Sequence, residues 1–219
     1  MNIIVFSEIN PSMTTEAGVK AYPETLGENG AEDFDQTALD TADVAVWWAH
    51  HYHGKVQDEL VEKIVDRVHR GMGLICLHSA HKSKVFMRVT GASGSLKWRE
   101  VGEKERLWCV DVTHPINEGL GEYVDVEQEE MYGEPFDIPT PDELIYLGWF
   151  QGGEVLRSGF VVKRGRGKMF YLNCGHETYP IYKNENIRKI LVNASNYVKP
   201  NQPILDELKC PHITEFSIK

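Results

Sequence analysis

Cysteine is sparse and unpaired in this sequence. Cys76, Cys109, Cys174 and Cys210 form no CxxC, and two of them sit inside apolar runs, where a reduced thiol behaves as a small hydrophobe. A reducing cytoplasm is the expected setting. Positive charge is also in deficit: 23 Lys and Arg against 33 Asp and Glu give a formal net charge of −10. That balance excludes the basic footprint of a nucleic-acid binder and the polybasic patch of a membrane-surface protein. No apolar run reaches membrane-spanning length, and the run Ile3–Phe6 is not preceded by a basic leader. Gly91–Ser95 lacks the spacing and the Lys-Ser/Thr of a phosphate loop, so no nucleotide cofactor is expected. Repeats and low-complexity tracts are missing as well.

What remains is an ordinary globular composition, 42% hydrophobic and 26% charged over 219 residues. That length suits one α/β domain over residues 1–199, followed by an extended, proline-bearing tail over 200–219. Strand-like runs occupy 2–6, 43–48 and 73–77, whereas 10–41 is rich in Gly and Pro and reads as loop with at most one short helix near Thr15–Ala21. Val56, Leu60, Val61, Ile64, Val65 and Val68 mark one face of a helix over 54–70, closed by Gly71. Ser79 is a candidate cap for a helix over 80–90. Runs at 106–112, 123–126, 144–150 and 155–162, with Gly152-Gly153 and Arg164–Gly167 as turns, predict antiparallel hairpin additions in the 106–173 region. The closing helix falls at 186–198. The expected fold is therefore α/β, an open and mostly parallel sheet flanked by helices.

Six of the nine histidines stand where apolar runs end. Val44–Trp48 leads to His50, His51 and His53; Gly73–Leu77 leads to His78 and His81; Lys168–Asn173 leads to His176 and Glu177. Buried parallel strands read as continuous apolar runs, and ligands bind beyond their carboxyl ends. If the three runs are sheet neighbours, distant stretches deliver imidazoles to one pocket. Imidazole titrates near neutrality and binds transition metals as the neutral base. Each cluster also has a plainer reading. The His50–His53 triplet fits a wet turn, Ser79 fits helix capping better than a nucleophile because no G-x-S-x-G surrounds it, and the His176-Glu177 pair alone is weak. His78 has no structural excuse at a strand end.

Glu127, Glu129, Glu130 and Glu134 crowd eight residues, either as a solvated acidic edge or around a cation. Lys97, Trp98, Arg99 and Arg157 offer cations and an aromatic face for a sugar or carboxylate, or simply exposed salt bridges. Cys174 beside Gly175 is a candidate thiol with no sign of activation.

Several of these blocks together resemble the trehalose-utilisation (ThuA-like) family. They are Val46–His50, His78–Lys84, Leu96–Glu100, Glu129–Glu134, Gly152–Val155 with Arg157–Gly159, and Gly175–Pro180. The match spans roughly residues 43–198. The resemblance implies a class I glutamine amidotransferase-like α/β fold without the cysteine nucleophile, in a sugar-metabolism setting. Members carry a longer segment ahead of the Trp-Trp strand, and 10–41 reads as too short for both a helix and a further strand.

The expected function is an enzyme acting on a disaccharide or keto-sugar derivative by isomerisation, hydrolysis or elimination. The alternative is a non-catalytic sugar-binding or regulatory protein on the same fold. His78, His81, His176, Glu177 and Glu130 are the candidate acid–base residues. Trp48, Trp98, Arg99, Glu100, Tyr132 and Arg157 are candidate substrate contacts. His50, His53, His78 and His176 are candidate ligands for a divalent ion, Zn²⁺ or Mn²⁺. The expected partner is a small carbohydrate, and the hairpins offer a surface for a homo-oligomer.

Overall fold

A computed structural model of the chain describes residues 1–8, 20–31 and 34–208. The described residues form one nine-stranded sheet in the order β2-β1-β3-β4-β9-β8-β7-β5-β6. Its parallel half comprises β1 (Asn2–Ser7), β2 (Lys20–Thr25), β3 (Val44–Trp48), β4 (Gly73–Leu77) and β9 (Gly167–Leu172). Its antiparallel half comprises β5 (Lys97–Cys109), β6 (Tyr123–Gly133), β7 (Glu143–Phe150) and β8 (Val155–Arg164). The helices are α1 (Gln36–Thr41), α2 (Asp58–Arg70), α3 (Lys84–Thr90) and α4 (Glu185–Val198).

Alternation along the central strands builds a core on each side of the sheet. Leu74 and Cys76 of β4 face one cluster with Trp47, Leu60, Ile64 and Tyr171. Ile75 and Leu77 face the other with Phe170, Leu172, Ile187 and Ile190. Because both faces are covered, β4 is buried at every residue, which is why it reads as an uninterrupted apolar run. α2 buries its predicted stripe, and its first turn carries Asp58 and Glu59 while its last carries Arg67, His69 and Arg70, matching the helix dipole. Gly71 closes it at φ 131°, donating to the carbonyls of Arg67 and Val68.

Three expectations need correction. The segment before β3 holds both a strand and a helix: β2 pairs in parallel with β1, and α1 is capped by Asp35. Pro23 masked β2 in the sequence, yet an edge strand tolerates proline because one side of its backbone has no ladder to break. The helix expected near Thr15–Ala21 falls mainly outside the described residues, and Lys20 and Ala21 belong to β2. Ser79 is not a helix cap. His78–Lys82 forms a short 3₁₀ turn, and Ser83 caps α3 by accepting from Phe86 N–H. Finally, the antiparallel region starts at Lys97 rather than 106, because the exposed first half of β5 carries too little apolar signal. Of the expected tail, 201–208 runs without helix or strand, and Arg70 holds it through the carbonyls of Leu205 and Asp206.

Candidate active site

β3, β4 and β9 are consecutive neighbours in the sheet, so the loops leaving their carboxyl ends meet. His50, His78 and His176 stand on those loops. Their ring centres lie 5.2–5.6 Å apart, and each ring is turned 81–82° from the other two. With Glu130 of β6 they form a group whose ligand atoms all lie within 4.8 Å of one another.

His78 follows β4 at φ 53°, a left-handed conformation that costs a residue bearing a Cβ. This sharp strand-to-helix turn drives the fully buried ring inward, in the manner of a nucleophile elbow. Its Nδ1 donates to Asn173 O at 2.9 Å, and its Nε2 faces Glu130 Oε2 at 3.2 Å and Tyr132 Oη at 3.3 Å. Tyr132 stacks on the imidazole at 5.0 Å, nearly parallel. Burial pushes the pKa of His78 down. Burial alone would push Glu130 up, but the contact with His78 holds it below the usual carboxylate range. A neutral His78 spends its one ring hydrogen on Asn173 O, so its Nε2 and Glu130 Oε2 meet as two acceptors that a shared proton or a cation can bridge.

The surrounding contacts are dense. His50 Nδ1 lies 2.9–3.0 Å from both oxygens of Glu177. His176 Nδ1 accepts from Thr178 N–H at 3.2 Å, and its Nε2 stands 3.5 Å from Glu100 Oε2. The other oxygen of Glu100 accepts the Tyr179 hydroxyl. Imidazoles sharing an ion at metal–nitrogen distances near 2.0–2.1 Å would hold their ring centres about 5 Å apart, and His50 and His78 stand 5.6 Å apart.

Two carboxylates that strand patterning does not reveal hold this architecture from behind. Glu129 of β6 accepts the backbone N–H groups of Gly175 at 2.7 Å and His176 at 3.2 Å. Glu105 of β5 accepts from Asn173 Nδ2 at 2.9 Å and Ser158 Oγ at 2.7 Å. Both are fully buried, which pushes Glu129 well up and Glu105 up to about 7. Together they fix the turn that presents both His176 and the Asn173 carbonyl. Gly175, at φ 149°, lets that turn lie against His78.

Other expected site residues have different places. His53 is buried but lies outside the four-residue group. His81 sits in an aromatic box, its Nδ1 donating to Gly94 O at 2.6 Å and its ring edge-on to Tyr132 and Phe136. It supports Tyr132 from behind. Trp48 is buried and its indole N–H donates to Gly175 O at 2.8 Å, a structural tie. Trp98 is 65% exposed and pairs across the ladder with Tyr132, which puts both on one face. Arg99 is committed to Glu103 and Glu154, and Arg157 to Glu134 and the Phe136 carbonyl, so neither guanidinium is free to orient a substrate. Ser79 donates its hydroxyl to Ala49 O. Burial pushes the Cys174 thiol well up, away from a reactive thiolate. The acidic run is no solvated edge at Glu129 and Glu130, which face inward.

Burial pushes His53 down to about 4 and His81 down to about 3, against 6.5 for a free imidazole. The folded rings therefore stay neutral while the unfolded chain takes up protons below pH 6.5, so their contribution is full above that pH and is lost as pH falls. Glu105 runs the other way: raised to about 7, it is protonated in the fold while the unfolded carboxyl stays ionised down to about 4.5. The clean test is a difference. Relative to His81→Gln, the wild type should lose about 1.4 kcal/mol of stability per pH unit between pH 6 and 4. Urea unfolding at several pH values measures this, and parallel curves would contradict the burial account.

The ThuA family model, described as trehalose utilisation, matches residues 12–198. This chain belongs to the ThuA family. The fold of this ThuA-family chain is shared by a ThuA-like protein of Parabacteroides merdae, at 13% identity, TM-score 0.70 and coverage of 93% and 92% of the two chains. A protein titled cytoplasmic from Salmonella typhimurium is similar at 14% identity and TM-score 0.61, covering 91% of this chain and all of that one, 100%. The amidotransferase-like shape extends to a GMP synthase component from Thermoplasma acidophilum, at 15% identity and TM-score 0.51 over 90% and 96% of the chains. Among curated proteins no sequence matches. The turn after β4 in this ThuA-family chain carries His78 and Ser79 and no cysteine.

Proposed function

We propose that this chain is a cytoplasmic sugar-metabolism enzyme of the trehalose-utilisation type. Its substrate is a neutral disaccharide or keto-sugar derivative, and its chemistry is metal-assisted acid–base catalysis. The observation that carries the reading is the buried pair His78 Nε2 and Glu130 Oε2, 3.2 Å apart with Oε2 otherwise unpartnered. Imidazole and carboxylate donors drawn from His50, His78, Glu130 and His176 suit Zn²⁺ or Mn²⁺. Such an ion, when bound, polarises a carbonyl or acidifies a water. The chain's own groups do the rest. Glu177 orients His50, Asn173 orients His78, and Tyr132 supports the His78 ring.

Neutrality of the substrate follows from the charges in contact with the imidazoles, which are Glu100, Glu130 and Glu177. A phosphate would meet carboxylates there, since Arg99 and Arg157 are paired elsewhere. The exposed indole of Trp98 offers a face on which a sugar ring can stack. Isomerisation, hydrolysis and elimination all need a proton moved beside a carbonyl or glycosidic carbon. No helix among the described residues is long and apolar enough to cross a membrane. The cytoplasmic placement draws on the relative titled cytoplasmic and on the reduced thiols.

The test is turnover of a panel of neutral disaccharides and their keto derivatives, beside phosphorylated counterparts, with and without chelator. A neutral member should react, and chelation should stop it. Saturable binding without any turnover would overturn the enzymatic reading.

A further inference from the structure

Resting on that metal-assisted reading, we propose that His50, His78 and Glu130 alone ligate the ion. His176 stays outside the coordination sphere and presents an Nε2–H to the substrate. The argument uses hydrogen-bond partners that have only one role. A carbonyl oxygen only accepts and a peptide N–H only donates. His78 Nδ1 meets Asn173 O at 2.9 Å, so Nδ1 holds the proton and Nε2 keeps its lone pair. His50 Nδ1 meets both oxygens of the Glu177 carboxylate, again an acceptor, which leaves its Nε2 with a lone pair too.

His176 is wired in reverse. Thr178 N–H donates to its Nδ1 at 3.2 Å, so the neutral ring carries its proton on Nε2. A ring with one nitrogen protonated and the other occupied by a peptide N–H has no lone pair for a metal. Its Nε2–H points toward Glu100 Oε2 at 3.5 Å, too long for a tight hydrogen bond, and that oxygen belongs to a carboxylate already engaged by the Tyr179 hydroxyl. A substrate hydroxyl or carbonyl oxygen can therefore take this proton donor. The turn cannot easily swivel to reverse the tautomer, because Glu129 clamps the N–H groups of Gly175 and His176. Two imidazoles and one carboxylate would then hold the ion, which could still take a substrate oxygen.

The experiment is calorimetric titration of Zn²⁺, and separately Mn²⁺, into the full-length protein and its His50→Gln, His78→Gln and His176→Gln variants. His176→Gln should bind within about threefold of the wild-type affinity, while His50→Gln and His78→Gln each lose more than about 100-fold, beyond the loss typical of an outer partner. An equal loss in His176→Gln would overturn the assignment and leave the metal reading intact. A wild type that binds neither ion would overturn the metal reading itself, and the assignment with it. Long-range ¹⁵N–¹H correlation on the metal-loaded wild type supplies the readout if a variant misfolds. Protonated Nε2 and unprotonated Nδ1 at His176 support the assignment, and the opposite tautomer refutes it.

Discussion

Replacing His78 with alanine should abolish stoichiometric binding of Zn²⁺ or Mn²⁺. His78 is the one imidazole here that is fully buried, and its free Nε2 is 3.2 Å from the Glu130 carboxylate. Removing a mere outer partner of a metal ligand costs about 10–100-fold in affinity, so losing the ligand itself should exceed 100-fold. Elemental analysis of protein purified without added metal or chelator should fall from one equivalent to background. Main-chain contacts of the position survive the change, since Tyr171 Oη binds the carbonyl of residue 78 and not its ring. Circular dichroism should therefore stay native in shape. Retention of a full equivalent by the alanine variant would remove His78 from the centre.

Glu130→Gln should cancel the stabilisation that metal gives while changing metal-free stability little. In the metal-free protein Glu130 and His78 share a proton across 3.2 Å, and a glutamine amide donates to His78 Nε2 in its place, so metal-free stability should change by no more than about 1.5 kcal/mol, the net worth of one hydrogen bond. Metal at 100 times its dissociation constant adds about 2.7 kcal/mol to the wild type, and the glutamine variant should gain almost none of it. Thermal melts of both proteins in chelator and in metal yield all four values. A variant stabilised by metal as much as the wild type would contradict a ligand role for Glu130.

How much of this was legible in the sequence differs by element. β3, β4 and β9 showed themselves because parallel strands covered on both faces must be apolar at nearly every position. Histidines standing just past such runs were enough to expect them to converge, and the strand order brings His50, His78 and His176 together. β2 was hidden by Pro23 and by its place at the sheet edge. The first half of β5 was hidden by exposure. Glu105 and Glu129 were out of reach for a deeper reason. A carboxylate within a strand normally marks a solvated face, and only long-range partners such as Asn173 and Gly175 turn it inward. Arg99 and Arg157 stood open between substrate contacts and salt bridges, because Glu154 and Glu134 lie 55 and 23 residues away along the chain and only Glu103 is a local partner of Arg99.

The most direct test is anomalous scattering from a crystal grown with Zn²⁺, with data collected on both sides of the zinc absorption edge. A single strong peak should lie about 2.0–2.1 Å from the free ring nitrogens of His50 and His78 and from a Glu130 oxygen. No peak between them, or a peak held by surface carboxylates alone, would mean that the converging imidazoles serve some purpose other than holding an ion.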